Sequence, residues 1–116
     1  MSKPWKQSHA KPAKQEELVS LAESKIFGAE LSGNAPSVDL HGMHVEAAVH
    51  VLDLFLHTEF MRHTDVIKII HGRGSGTLRE AVHVFLRAQT LVETYRDGRN
   101  PSEILGVTYA VLGGKA

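Results

Sequence analysis

The chain has no cysteine, which excludes disulfide staples and thiolate metal sites and agrees with the reducing cytosol as its setting. Thirteen lysines and arginines balance thirteen aspartates and glutamates, so the chain-wide basic field that announces a nucleic-acid binder is missing. Any contact with nucleic acid must be local. No stretch approaches the ~18 consecutive apolar residues of a membrane span, and the amino terminus lacks the apolar core of an export signal. Neither a membrane partner nor export is expected. Internal repeats are absent. So are the G-x-x-x-x-G-K-[ST] spacing of a triphosphate-binding loop and an in-phase G-x-G-x-x-G dinucleotide fingerprint.

Histidine, by contrast, is plentiful, with eight in 116 residues. Because imidazole titrates near ~6.5, mild acidification turns the net charge positive. An apolar fraction of 42% is ordinary for a globular chain, and the length allows one domain with a modest core. Residues 1–15 carry four lysines, two prolines and no acid, and read as a disordered basic arm. A solubilising leader is the plain interpretation; the functional one is a tether to phosphate with Trp5 stacking on a base. Residues 16–36 follow as a short amphipathic helix over 16–27, with Leu18, Leu21, Ala22 and Ile26 inward, and then a linker holding Gly28, Gly33, Asn34 and Pro36. The helix is expected on the domain's edge or on a partner.

Residues 37–113 read as the folded unit. A first strand ends in Val38-Asp39-Leu40-His41-Gly42, and Val45, Ala48, Val49, Leu52, Leu56 and Phe60 then recur at helical spacing. Glu46, His50, Asp53 and His57 occupy the opposite, solvated face. A β-branched run over 65–70 precedes Thr77-Leu78-Arg79-Glu80, which has the form of a capping box opening a second helix with Leu78, Ala81, Val82, Phe85 and Leu86 inward. Strands at 91–95 and 107–112 flank the turn-rich Arg96-Asp97-Gly98-Arg99-Asn100-Pro101. The order is βαβαββ. It predicts an α/β fold, a two-layer α/β sandwich with a four-stranded mixed sheet and two helices on one face.

Chemistry gathers at two strand ends. In an open α/β sheet the carboxyl ends of parallel strands share an edge, so Val38-Asp39-Leu40-His41-Gly42 and Ile70-His71-Gly72-Arg73-Gly74-Ser75-Gly76-Thr77 should face one crevice. Asp39 and His41, two apart on a strand, project to one face, where the carboxylate can orient the imidazole. A plainer role is for Asp39 to cap the turn. Gly72, Gly74 and Gly76 permit positive φ and close backbone approach, so that amides and the following helix dipole can meet an anion. Arg73 can grip a phosphate through two parallel hydrogen bonds, a use that a structural turn lacks. Asp39, His41, His71 and Arg73 are therefore the candidate catalytic residues, with His41 and His71 as base and acid. Gly42, His44, Gly72, Gly74, Ser75 and Gly76 are the candidate substrate contacts. A metal set of His41, His44, His50 and His71 is set aside because His50 faces away by periodicity, so no metal or other cofactor is implied. His9, His57, His63 and His83 read as surface residues.

Together the two strand ends resemble the Smr (small MutS-related) domain family, whose marks are an L-D-x-H-G or V-D-L-H-G strand end and a later H/T-G-K/R-G-x-G loop. The resemblance covers residues 36–112. It implies a compact α/β nucleic-acid-binding domain, in several members an endonuclease, with Asp39-Leu40-His41 and the Gly-rich loop as functional residues. One departure is His44, where members often carry threonine, which leaves a poorer helix cap and an extra imidazole near the site. The function expected is cleavage of RNA or nicking of DNA, with RNA favoured because its 2′-hydroxyl is an internal nucleophile that needs no metal. The rivals are a non-catalytic module docking on structured RNA, ribosomes or branched DNA, and a small phosphometabolite enzyme, which would need a deep pocket.

Overall fold

The computed structural model describes residues 14–113, so the expected arm, Trp5 included, lies outside the described residues except for its last two positions. Those belong to a helix. The elements are α1 (Lys14–Ser32), β1 (Ser37–Asp39), α2 (Val45–Met61), β2 (Val66–Ile70), α3 (Thr77–Ala88), β3 (Val92–Asp97) and β4 (Val107–Leu112). The strands form one mixed sheet in the order β1-β2-β4-β3, with β1 parallel to β2 and the other pairings antiparallel. The β-branched run of β2 occupies a central position, where apolar burial on both faces is strongest.

Helices α2 and α3 share one face, as the sequence predicts. Ala48, Leu52 and Leu56 of α2 and Val82 and Leu86 of α3 pack on Leu40, Ile67, Ile69, Val92 and Ala110. The other face is not open. Helix α1 crosses it, seating Ala22 and Ile26 on Val66, Val107, Tyr109 and Val111, so a third layer is added to the expected two. All six residues of β4 are buried as a result. The helix also does not stop at Phe27; it continues through Gly28 to Ser32 and closes at Gly33, whose φ is +69° and whose N–H reaches the Ala29 carbonyl at 3.0 Å. A helical glycine costs about 1 kcal/mol relative to alanine. Tertiary bonds on either side of it outweigh that cost: Arg96 of β3 pairs with Glu23 at 2.9 Å and Glu30 at 2.5 Å, and the Arg99 N–H donates to Glu30. Leu21 takes no part and is largely exposed.

Two local expectations are corrected. The capping box does not form, because Gly76 at φ +86° is the N-cap of α3 and Thr77 is already its first helical residue. Ser75 Oγ meets the Thr77 N–H instead, at 3.4 Å. Strand β3 extends to Asp97, because its register with β4 pairs Arg96 with Tyr109 and Asp97 with Thr108. That register creates a buried polar layer. His71 is 3% exposed and Thr108 fully buried, and His83, expected at the surface, turns from α3 onto the same hydroxyl.

In this layer His71 Nδ1–H donates to the Gly72 carbonyl at 3.1 Å, while its Nε2 lies 2.9 Å from Thr108 Oγ1. His83 Nε2 lies 2.9 Å from the same hydroxyl and 3.1 Å from Asp97 Oδ1, and Arg79 holds both Asp97 oxygens. Thr108 has one proton to give. It has two acceptors in reach, His71 Nε2 at 2.9 Å and Asp97 Oδ1 at 3.3 Å, and donation to the nearer His71 leaves His83 as the donor to Thr108 and Asp97. Burial lowers the pKa of both imidazoles. Burial would raise that of Asp97, but the Arg79 guanidinium bonded to it more than offsets this and holds the carboxyl below its usual range.

Gly28→Ala should raise stability by about 0.5–1 kcal/mol, since an added Cβ there meets nothing within 4 Å and relieves the unfolded-state entropy of glycine. A loss in chemical denaturation would contradict a continuous α1. The buried imidazoles set a pH dependence. Folded pKa values below the unfolded ~6.5 mean that their stabilisation is present above that pH and is lost as pH falls through the folded values. Thermal melts from pH 7.5 to 5 should therefore show a falling Tm, and His83→Gln, an amide that cannot titrate, should flatten the decline. Parallel curves for the two proteins would remove His83 from the effect.

Candidate phosphate-binding cleft

The parallel register places Asp39 opposite Ile70, so β1 and β2 end at the same level. Leu40 N–H extends the ladder to the Ile70 carbonyl at 2.7 Å, and its side chain is fully buried. The chain then reverses at Gly42, with φ +76°. His41 thus emerges from a turn and not from the strand. Asp39 reaches it by folding back: its Oδ1 accepts the His41 backbone N–H at 3.1 Å and lies 2.5 Å from Nδ1. One carboxylate both caps the turn and orients the ring. With the Nδ1 proton given to Asp39, Nε2 keeps its lone pair. The imidazole bond holds the Asp39 carboxyl below its ordinary pKa.

The Gly-rich loop sits against this turn. An added Cβ at Gly72, where φ is +80°, would stand 3.2 Å from His41 Cβ. Only glycine suits both the conformation and the approach. The N–H groups of His71 and Gly72 converge on the Gly106 carbonyl at 3.0 Å each. The next four amides, of Arg73, Gly74, Ser75 and Gly76, have no hydrogen-bond partner among the described residues. Successive free amides followed by a helix N-terminus form a concavity suited to an anion. The two segments enclose an open cleft of about 500 Å³ whose lining includes His41, Gly42, His44, His71, Gly72, Gly74, Ser75 and Gly76, together with Arg73 and Arg79.

Two of the predicted catalytic residues, His71 and Arg73, border the cleft but commit their side chains to structural hydrogen bonds. The His71 ring turns beneath the loop, with both nitrogens engaged in the polar layer, so it does not face the cleft as a second free imidazole. Arg73 does serve a structural turn: Nε donates to the Ile104 carbonyl at 3.2 Å and Nη2 to that of Pro101 at 2.8 Å. His44 is the N-cap of α2 and makes no side-chain capping bond. His50 and His57 are exposed on α2 and are not among the residues lining the cleft.

Among the described residues one trio has metal-ligand geometry, His71, His83 and Asp97, whose donor atoms lie within 4.8 Å of one another. Arg79 already holds that carboxylate, and its positive charge opposes a cation there. The pair His41 and His44 belongs to no such group. Arg79, His83, Asp97 and Thr108 are the site-supporting residues that the sequence reading missed. Arg79 and His83 stand four apart on one helix face, a spacing visible in the sequence. Their partners Asp97 and Thr108 become neighbours only through the β3–β4 register.

The Smr domain family model matches residues 38–113. Among curated relatives, Endonuclease MutS2 of Halothermothrix orenii is 41% identical over 78 residues, 67% of this chain and 10% of that protein. Endonuclease MutS2 of Thermomicrobium roseum is 38% identical over 77 residues, covering 66% and 10%. The chain therefore spans about a tenth of the length of the curated relatives it matches. The crystal structure of the Smr domain of Thermus thermophilus MutS2 superposes with a TM-score of 0.65 at 32% identity, over 68% of this chain and 99% of that one. The solution structure of the B3BP Smr domain, at 23% identity and TM-score 0.51, covers 87% of this chain and 100% of that one and shares the fold. With both strand-end motifs meeting in one cleft on this sheet, the chain belongs to the Smr domain family.

Proposed function

We propose that this domain binds nucleic acid and cleaves RNA at a phosphodiester seated on the Gly-rich loop. The observation that carries the reading is the meeting, in one cleft, of a carboxylate-oriented imidazole and four unpaired amides. The amides and the N-terminus of α3 receive the phosphate oxygens. His41 Nε2 takes the proton of the 2′-hydroxyl, whose oxygen attacks phosphorus as the 5′-oxygen departs and takes a proton from solvent water, leaving a cyclic phosphate and a 5′-hydroxyl, and the imidazolium returns its proton to solvent. Asp39 holds the productive tautomer and stabilises the imidazolium that forms. Arg73 adds charge at the rim, Gly42, His44 and Ser75 complete the contacts, and His71 holds the loop from below. The relatives named as MutS2 endonucleases support a nuclease role. The cleft lining contains no carboxylate among the described residues, which favours the internal nucleophile of RNA over a metal-activated water on DNA. Cysteine-free composition and the absence, among the described residues, of a helix long and apolar enough to cross a membrane fit action in the cytoplasm.

A second reading, a binding module on structured or ribosomal RNA, has one observation in its favour. Burial of His71 leaves the cleft without the paired acid that two free imidazoles would give.

Matched RNA and DNA substrates, assayed with and without chelator, separate these readings. RNA cleavage should persist in chelator, and His41→Ala should abolish it while retaining binding. Asp39→Asn should lower the rate by roughly two to four orders of magnitude with the fold intact. A fully active Asp39→Asn protein would exclude the oriented imidazole; DNA nicking that stops in chelator would move the chemistry to a metal-activated water. Arg73→Ala should weaken binding and reduce the log-log salt slope by up to about one unit. An unchanged slope would confine Arg73 to its structural role.

A further inference from the structure

Residues 100–106 form a turn beside the Gly-rich loop that presents two large aliphatic side chains to water. Ile104 is 49% and Leu105 53% exposed. Leu105 has φ +64°, a left-handed conformation that non-glycine residues seldom adopt. The turn is nevertheless firmly held. The Glu103 carboxylate takes Lys68 at 2.7 Å and the Tyr109 hydroxyl at 2.8 Å from below. The Asn100 carbonyl accepts the Glu103 and Ile104 N–H groups at 2.8 and 3.0 Å. Arg73 staples the carbonyls of Pro101 and Ile104 to the loop, and the Gly106 carbonyl takes the first two loop amides.

Isolated exposed apolar residues are normal and need no explanation. This pair differs in three respects: it is adjacent in sequence, it is held up by a strained backbone, and it is bonded directly to the loop that would carry a phosphate. Strain that the surrounding structure over-determines is a pointer to function. We propose that Ile104 and Leu105 form a wedge that packs against an unstacked base of the nucleic acid strand whose phosphate lies on the Gly-rich loop. The proposal rests on the nucleic-acid reading of the cleft and gives it a substrate class, nucleic acid with unpaired or bulged nucleotides. Isoleucine and leucine are among the side chains that nucleic-acid binders set against opened base steps. Unpaired RNA offers the free base faces that a continuous duplex withholds. With Arg73 joining wedge and loop, base contact and phosphate contact stand in fixed relation.

The test uses the full chain carrying Ile104→Ser and Leu105→Gly; glycine accepts the left-handed φ, so the variant should melt no lower than wild type. Binding is measured to an RNA hairpin with a two-nucleotide bulge carrying 2-aminopurine and to the matched uninterrupted hairpin. The wedge predicts a roughly tenfold loss on the bulged RNA, little change on the duplex, an unaltered salt slope, and loss of the 2-aminopurine fluorescence change seen with wild type. Equal affinity of variant and wild type for the bulged RNA overturns the wedge, as does an equal loss on both hairpins or a change in oligomeric state that accounts for the loss. Because these measurements read affinity alone, a protein that binds but never cleaves would defeat the cleavage reading and leave the wedge testable. A wild-type protein that binds neither RNA defeats both.

Discussion

The pairing of β1 with β2 is short, three residues on an edge strand, yet its register sets everything at the cleft. Asp39 opposite Ile70 makes the two strands end together, and the buried Leu40 fixes the setting. A slip of one residue would exchange the faces, exposing Leu40 and driving His41 toward the core. Burial of one leucine is worth about 1.5–3 kcal/mol, and burying an imidazole without a partner would add a further penalty. The hydrophobic effect thus places the Asp39–His41 pair, to which it contributes no contact. The close approach of Gly72 to His41 then joins the two motifs, and any larger residue would push them apart.

Beneath the cleft the sheet solves a different problem. A loop of free amides has little internal structure to hold its shape, because its backbone N–H groups make no bonds within the described residues. The protein supplies the missing constraint from below and from the side. His71 bonds the Gly72 carbonyl and is itself fixed through Thr108, His83 and Asp97 to Arg79, while Arg73 and the Gly106 carbonyl tie the loop to the 100–106 turn. Such a network is favourable only when every member is satisfied. Its protonation state therefore matters as much as its geometry, and neutral imidazoles are the form that fits the donor and acceptor pattern.

The α/β order, the mixed sheet and the shared face of α2 and α3 were legible because each rests on local periodicity: a 3.6-residue repeat in α2 and α3 and a β-branched run in β2. The family was legible from two short motifs at the proper separation. The length of α1 was not, because Gly28 argues locally for a break while the ion pairs that override it come from Arg96, more than sixty residues on. The roles of His71 and Arg73 were hidden for the same reason. A histidine before a Gly-rich loop is read as exposed unless Thr108 is known to sit behind it, and an arginine within one shows no structural partner until the carbonyls of Pro101 and Ile104 are known to stand beside it. Sequence proximity reveals what a residue is near along the chain. Strand register decides what it touches.

The balance of charge also acquires a physical meaning. Backbone amides and a helix terminus offer an anion partial charges without any net charge on the chain, so a chain of zero formal charge can still present an anion site. Attraction at long range is then weak, and recognition depends on contacts made after encounter. On the proposed function, selectivity then comes from shape close to the phosphate: the oriented imidazole on one side of the loop and the stapled turn on the other. A strongly basic domain would bind duplex and unpaired strands alike through their backbones. Amide capture favours strands that can bring one phosphate into the concavity, and flexible, unstacked segments do so with the least deformation of the nucleic acid.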